Sequence, residues 1–224
     1  MKIIGITGPS GSGKSMLAAA LTARGYLHAD ADAIYHDLLR TSAPMRAELV
    51  TAFGDDLYAQ KIAASCGELG IDISQSPIIP EGRTSTYLFI TDEKGDMALA
   101  VSDMEIYKHM APQMLSQRLT LLNASQAVVL DTNIPAESIQ YLADHCTAPL
   151  FADPVSTAKA EKLRPVLGKL HTLKPNRLEA ELLSGVPITD TDSLHRAAQT
   201  LLETGLHRVF ISLVAAVVYF IVCW

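Results

Sequence analysis

The apolar run KIIGIT leads without a gap into Gly8-Pro9-Ser10-Gly11-Ser12-Gly13-Lys14-Ser15, which fits the pattern G-x-x-x-x-G-K-[ST]. A short run apolar on both faces is the pattern of a buried parallel strand. The glycines let the backbone curl so that successive N–H groups converge on phosphate oxygens. Lys14 would reach the outer phosphates and the Ser15 hydroxyl would help to hold a magnesium ion. A helix predicted from about Lys14 to Arg24, closed by Gly25, would set its positive end against the same anion. The alternative is an ordinary glycine-rich turn. The strand before and the helix after are the context that favours a phosphate cradle built from Gly8, Ser10, Gly11, Ser12, Gly13, Lys14 and Ser15.

A second strand is predicted over Tyr26 to Ala29, followed by Asp30 and Asp32. Two residues apart in an extended chain, the carboxylates share a face at the strand's carboxyl end, where open α/β sheets bind ligands. Either could steer an acceptor hydroxyl or a magnesium-bound water, and one could simply cap the helix beginning near Ala33. Lys14 and Asp32 are the candidate catalytic residues of this segment.

The 224 residues are 49% apolar and 19% charged, enough to bury a proper core. A net charge of −6 argues against a general nucleic-acid binder, which carries a basic face. Cys66, Cys146 and Cys223 are widely spaced and form no C-x-x-C pair, so neither a zinc site nor a disulfide framework is expected, and a cytoplasmic setting is. The apolar start is too short for a signal peptide. The run VFISLVAAVVYFIVCW over residues 209–224 falls below the ~20 residues a membrane-spanning helix needs; its branched and aromatic residues suit buried strands. No histidine sits in an H-x-x-x-H or H-E-x-x-H arrangement. Lys159, Lys162 and Lys169 read as a wet helix face rather than a phosphate patch.

Residues 1–56, through MKIIGITGPSGSGKS and DADAIYHDLL, resemble the start of dephospho-CoA kinases. That family phosphorylates the ribose 3′-hydroxyl of dephospho-CoA with ATP. Its CoA-binding helices and arginine-bearing lid have no counterpart here. From about Gly54 the chain resembles the ribokinase (PfkB) family. GDDLYAQKIAASCGELGID matches a segment that opens a helix and ends it in a G-I-D turn. RTSTYLFITDEKGDMALAVSDM reads as two strands around a turn at Asp92 to Gly95, the family's lid over the substrate. Thr84 and Thr86 would line that lid's substrate side. AVVLDTNIP, APLFADPVS and KLHTLKPNRLEAELLSG follow at intervals suited to alternating strands and helices. The wording is most similar to pseudouridine kinases, which phosphorylate the 5′-hydroxyl of pseudouridine.

Asn176 and Glu179 fit the family's N-x-x-E motif. The resemblance implies that they organise Mg²⁺ and its waters beside the phosphates of ATP. By local pattern alone they also make a capping box. Asp131 and Asp153 end apolar strands, so both either face the ligand crevice or cap turns. The family's aspartate base in a G-A-G-D segment and its N-terminal substrate-binding strands find no match. Where the family has L-G-x-x-G-V-Y, this chain has Leu213-Val214-Ala215-Ala216-Val217-Val218-Tyr219. Valine tolerates positive φ poorly, so the usual turn is not expected, and the run is sticky if exposed.

The expected architecture is α/β with a mostly parallel sheet: a P-loop nucleotide-binding segment over 1–56 joined to a partial ribokinase-like domain over 57–224. A sheet face is expected to lie uncovered, and KIIGIT could dock as a replacement first strand. The join falls at Ala52-Phe53-Gly54-Asp55-Asp56, a string that fits both families. The resemblances imply ATP and Mg²⁺ as cofactors, a small-molecule substrate (nucleoside, sugar or dephospho-CoA), no nucleic-acid or membrane partner, and a homodimer paired through lids. Three functions remain open: a nucleoside or sugar kinase, a dephospho-CoA kinase, or a nucleotide-binding but inert fusion.

Overall fold

The structure, a computed structural model, describes residues 47–91, 97–213 and 219–223. The phosphate-cradle string, Asp30 and Asp32 therefore lie outside the described residues, as do the turn around 92–96 and the Val214–Val218 stretch.

The described chain begins with β1 (Ala47–Glu48) and β2 (Phe53–Gly54), followed by α1 (Leu57–Glu68), β3 (Ile71–Asp72) and β4 (Ile78–Ile79). β1 pairs in parallel with β3, and β2 with β4. Helix α1 starts where Asp56 accepts a hydrogen bond from the Ala59 N–H at 2.9 Å, an N-cap. It ends in the expected glycine turn, with Gly70 at φ 69°. The antiparallel ribbon of β5 (Thr86–Thr91) and β6 (Met97–Asp103) is the two-stranded hairpin predicted for this stretch. Its register puts Leu88 opposite Val101 and Ile90 opposite Leu99. These four largely exposed apolar side chains share one face of the ribbon.

A 3₁₀ turn (Glu105–His109), α2 (Pro112–Ser116) and α3 (Leu119–Ala124) lead to the main sheet. There β7 (Val128–Asp131), α4 (Ala136–His145), β8 (Leu150–Asp153), α5 (Thr157–Ala160), a second 3₁₀ segment (Glu161–Lys169), β9 (Thr172–Leu173), α6 (Arg177–Ser184), α7 (Thr191–Glu203) and β10 (Arg208–Ser212) follow in turn. β11 (Tyr219–Cys223) completes a five-stranded sheet ordered β11-β10-β9-β8-β7. The pairs among β7 to β10 are parallel, and β11 is antiparallel to β10 with Ser212 opposite Tyr219. The C-terminal apolar run thus supplies strands, and no described helix is long and apolar enough to cross a membrane.

Alternation along the strands decides which face is packed. Val128, Leu130, Leu150, Ala152, Leu173, Val209 and Ile211 are buried against α4, the second 3₁₀ segment, α6 and α7. Helix α7 offers Leu194, Ala197, Ala198, Leu201 and Leu202 to this core, the spacing of one helical face. The opposite face carries Val129, which is 78% exposed, with Phe151 and Phe210 partly exposed. A parallel sheet ordinarily has both faces covered; among the described residues no helix lies over the second one.

Candidate functional site

The carboxyl ends of β7, β8, β9 and β10 meet at one edge of the main sheet and bring Asp131, Asp153, Lys174, Asn176 and Ser212 to it. The β9–β10 pairing continues past β9 through a parallel bridge between Asn176 and Ser212, in which the Ser212 N–H donates to the Pro175 carbonyl at 3.0 Å. This fixes where α6 begins. The Asn176 side chain accepts from the Glu179 N–H at 3.0 Å, and Glu179 Oε2 accepts from the Asn176 N–H at 2.8 Å. The capping box anticipated from the sequence is therefore formed. It uses one carboxylate oxygen of Glu179 and leaves the motif at the carboxyl edge of the sheet, where open α/β sheets generally take ligands.

Glu179 is only 3% exposed. Burial pushes its carboxyl above the ordinary carboxylate range, and the charge of nearby Asp153 pushes it the same way. Asp153 is itself held at both oxygens. Oδ1 accepts from the Val155 N–H at 2.9 Å, and Oδ2 pairs with Lys174 Nζ at 3.0 Å. Val155 sits at φ 64°, a conformation that a β-branched residue adopts only at a cost. Val129, Phe151, Asp153, Thr172, Lys174 and Phe210 line a groove of about 500 Å³ on the uncovered sheet face.

Asp131 takes the turn-capping option. Its two oxygens accept from the backbone N–H and the side-chain amide of Asn133, each at 2.8 Å. The lysines correct the expectation of a wet helix face. Lys162 donates to the carbonyls of Thr132 at 2.8 Å and Ile134 at 2.9 Å, and Lys159 to Asn133 Oδ1 at 2.5 Å. Burial, then the neighbouring Lys159 charge, lowers the Lys162 ammonium's affinity for its proton. These two lysines clamp the loop after β7, because the α5–3₁₀ segment that carries them packs beside that loop. Lys169, half-exposed, pairs instead with Asp144.

Thr84 departs from the expected lid role. It is 3% exposed; its hydroxyl donates to Asp56 Oδ1 at 2.8 Å and accepts from the Gly54 N–H at 3.0 Å. Its own N–H donates to Asp56 Oδ2 at 2.7 Å. Thr84 therefore locks the β2–α1 corner, while Thr86 bonds the Thr84 carbonyl at 3.2 Å. The locking partners are 28 and 30 residues apart in sequence, so no local pattern reveals them. Lys174 carried a readable signal that was missed: a cation directly after an apolar strand, beside the Pro-Asn that opens α6.

The donor set bears on Mg²⁺. Among the described residues no cluster of three or more His, Cys, Asp or Glu side chains could hold a metal directly. One buried carboxylate, a second beside it and an amide suit an ion that keeps most of its waters. Asn176 and Glu179 fit Mg²⁺ held through water, and Ser15 lies outside the described residues.

Comparison with known proteins agrees with this geometry. Over 176 residues, 78% of this chain, it is 34% identical to the pseudouridine kinase of Escherichia coli (strain K12) and spans 56% of that protein's length. A solved carbohydrate kinase from Agrobacterium tumefaciens superposes with a TM-score of 0.64 at 26% identity, covering 78% of this chain and 56% of that one. The dephospho-CoA kinase family model matches residues 2–72. Over 54 residues, 24% of this chain, it is 54% identical to the dephospho-CoA kinase of Corynebacterium efficiens and covers 27% of it. The chain spans a little over half of the kinases it matches along most of its length and about a quarter of the dephospho-CoA kinase. It is chimera-like, with two family matches that overlap over 40–72. The pfkB family carbohydrate kinase model matches residues 40–221, most of the chain and all of the edge where Asp153, Lys174 and Glu179 meet, and the chain belongs to that family.

Proposed function

We propose that this chain carries out ATP-dependent phosphoryl transfer to a hydroxyl of a nucleoside or sugar, with a pseudouridine-like nucleoside as the leading substrate. The observation that carries this is the Asp153–Lys174–Asn176–Glu179 cluster at the carboxyl edge of a PfkB-family sheet. In such a transfer the bond from the γ-phosphorus to its bridging oxygen breaks and ADP leaves, a bond to the acceptor oxygen forms, and the hydroxyl proton would pass to Asp32 or to water. Mg²⁺ neutralises charge on the phosphate oxygens when bound. Asn176 and Glu179 would orient its waters, and the capping box keeps both side chains from rotating away. Lys14, with the backbone of Gly8 to Ser15, would cradle a triphosphate, and Asp32 would steer an acceptor hydroxyl.

Dephospho-CoA phosphorylation is the second reading, favoured by the complete G-x-x-x-x-G-K-S string and the family match over residues 2–72 that contains it. Two copies would pair through the ribbon face of Leu88, Ile90, Leu99 and Val101. Incubating the full chain with Mg·ATP and either pseudouridine or dephospho-CoA, and following product by mass spectrometry, separates the readings. Phosphorylated pseudouridine supports the first, and product from dephospho-CoA alone selects the second. ATP binding without product from either substrate, or from other nucleosides and sugars, leaves the inert fusion.

A further inference from the structure

Helix α1 is thinly covered for its length. Of its 12 residues only Cys66 is buried. Among the described residues its chief contacts are with β2 and β3, strands of two residues each. Ala59 and Ala63, partly buried, share the inward side with Cys66. Beside that side runs a second stripe, in which Tyr58, Ile62 and the C-cap residue Leu69 are all exposed. Their spacing of four and seven residues puts them in one row along the helix, with Ser65 between. An apolar row of this kind is what a helix ordinarily turns toward a neighbour.

The strand pairing says which part of the chain lies beside the row. β1 and β3 are parallel, with Ala47 opposite Ile71. β3 follows α1 directly through Leu69 and Gly70. The chain that precedes Ala47 therefore enters the body next to Gly70, at the end of α1 where Leu69 is exposed. That chain is 46 residues long and lies outside the described residues. Its last predicted helix begins near Ala33, and Ile34, Tyr35, Leu38 and Leu39 would share one face of it. Only residues 41–46 separate this helix from β1. Such a linker reaches up to ~20 Å when extended, and α1 is ~18 Å long, so the helix can lie anywhere along the row. A linker this short also holds the two faces together at an effective concentration on the order of millimolar, which favours this segment over a second copy in dilute solution.

We infer that the apolar face of residues 33–40 docks on the Tyr58–Ile62–Leu69 row of α1. The dephospho-CoA-kinase-like start is then a layer of the PfkB-family body rather than a tethered leader, and Asp30 and Asp32, just ahead of the docked helix, are carried to that body with it. Such docking needs no nucleotide and holds whichever substrate the chain takes.

Hydrogen–deuterium exchange of the full chain without ligand, read by mass spectrometry at a low and a high protein concentration, tests the contact. In the starting sequence the amides of residues 34–40 should exchange roughly tenfold or more slowly than in I62E, at both concentrations. L38E should in return speed exchange over residues 58–69 and leave β7 to β10 unchanged. Gln60 is exposed on the far side of α1 from the row, so Q60E should alter neither segment. Free exchange at 34–40 in the starting sequence would overturn the inference. So would protection there that I62E does not change, which seats the segment elsewhere. Protection of 58–69 that vanishes on dilution would give the row to a second copy and overturn it equally. Should I62E also speed exchange in β7 to β10, it has damaged the body, and L38E decides: unchanged exchange over 58–69 in that variant sinks the docking.

Discussion

Replacing Thr84 by valine isolates the corner that it forms with Gly54 and Asp56. The change keeps side-chain volume and removes one oxygen. That oxygen accepts from the buried Gly54 N–H at 3.0 Å and donates to Asp56 at 2.8 Å. Without it the Gly54 N–H has no acceptor in a pocket already closed by the Gly82 carbonyl and the Thr84 backbone. An orphaned buried donor costs about 1–3 kcal/mol. In a chain of this size each kcal/mol shifts the melting midpoint by roughly 2–4 °C, so T84V should melt roughly 2–12 °C lower. T84S keeps the oxygen and loses only a methyl, so it should recover most of the loss. Urea unfolding is the assay, with a lower midpoint at an unchanged slope as the signature of lost stability rather than altered compactness. A T84V midpoint within error of the starting chain would refute the lock. A loss of substrate affinity in T84V at unchanged stability would restore Thr84 to the lid.

The glycines of the same region give an opposed pair. A Cβ on Gly54 would lie 2.4 Å from the Gly82 carbonyl oxygen and 2.6 Å from the Thr84 nitrogen; both are backbone atoms, so G54A should lose about 2 kcal/mol or more. Gly67 in α1 has nothing within 4 Å of a built Cβ, so G67A should gain about 0.5–1 kcal/mol; equal effects in chemical denaturation would contradict both. E179Q tests the buried carboxyl. Burial raises the Glu179 pKa in the folded state, so the native chain binds more protons than the unfolded one above the ordinary value of 4.5. Stability contributed by this group therefore falls as pH rises from there to the raised folded value. Gln keeps an acceptor for the Asn176 N–H, and the pH profile of stability should flatten across that window while magnesium-dependent nucleotide turnover drops; an unchanged profile would sink the assignment.

Local signals were legible and distant ones were not. The capping box at Asn176 and Glu179 and the glycine turn after α1 each lie within a few residues of chain, where spacing and geometry correspond directly. The N-x-x-E pattern could not be assigned to capping or to a site from its sequence, and the structure shows why: one side chain caps α6 while lying buried beside Asp153. Asp131 and Asp153 look alike in sequence, each ending an apolar strand before a turn. They diverge because β9 pairs with β8 in a register that brings Lys174 to Asp153, while both oxygens of Asp131 accept from Asn133 on its own loop. Lys162 was misjudged for the same reason, since its acceptors lie 28 and 30 residues away.

The overlap of the two family matches has a physical content that neither match supplies. Residues 40–72 answer to both family models, yet the described part of that stretch is built into the PfkB-like body. Phe53 and Gly54 pair with Ile78 and Ile79, and Asp56 both caps α1 and holds Thr84. Gly54 allows the close approach to Gly82, and Asp56 supplies the acceptors. A chain joined at Ala52 to Asp56 therefore keeps this corner intact whichever parent supplied the string, because the contacts ask only for a glycine and for an aspartate two residues on. A different kinase start could be placed ahead of such a corner without disturbing the first helix of the body that follows.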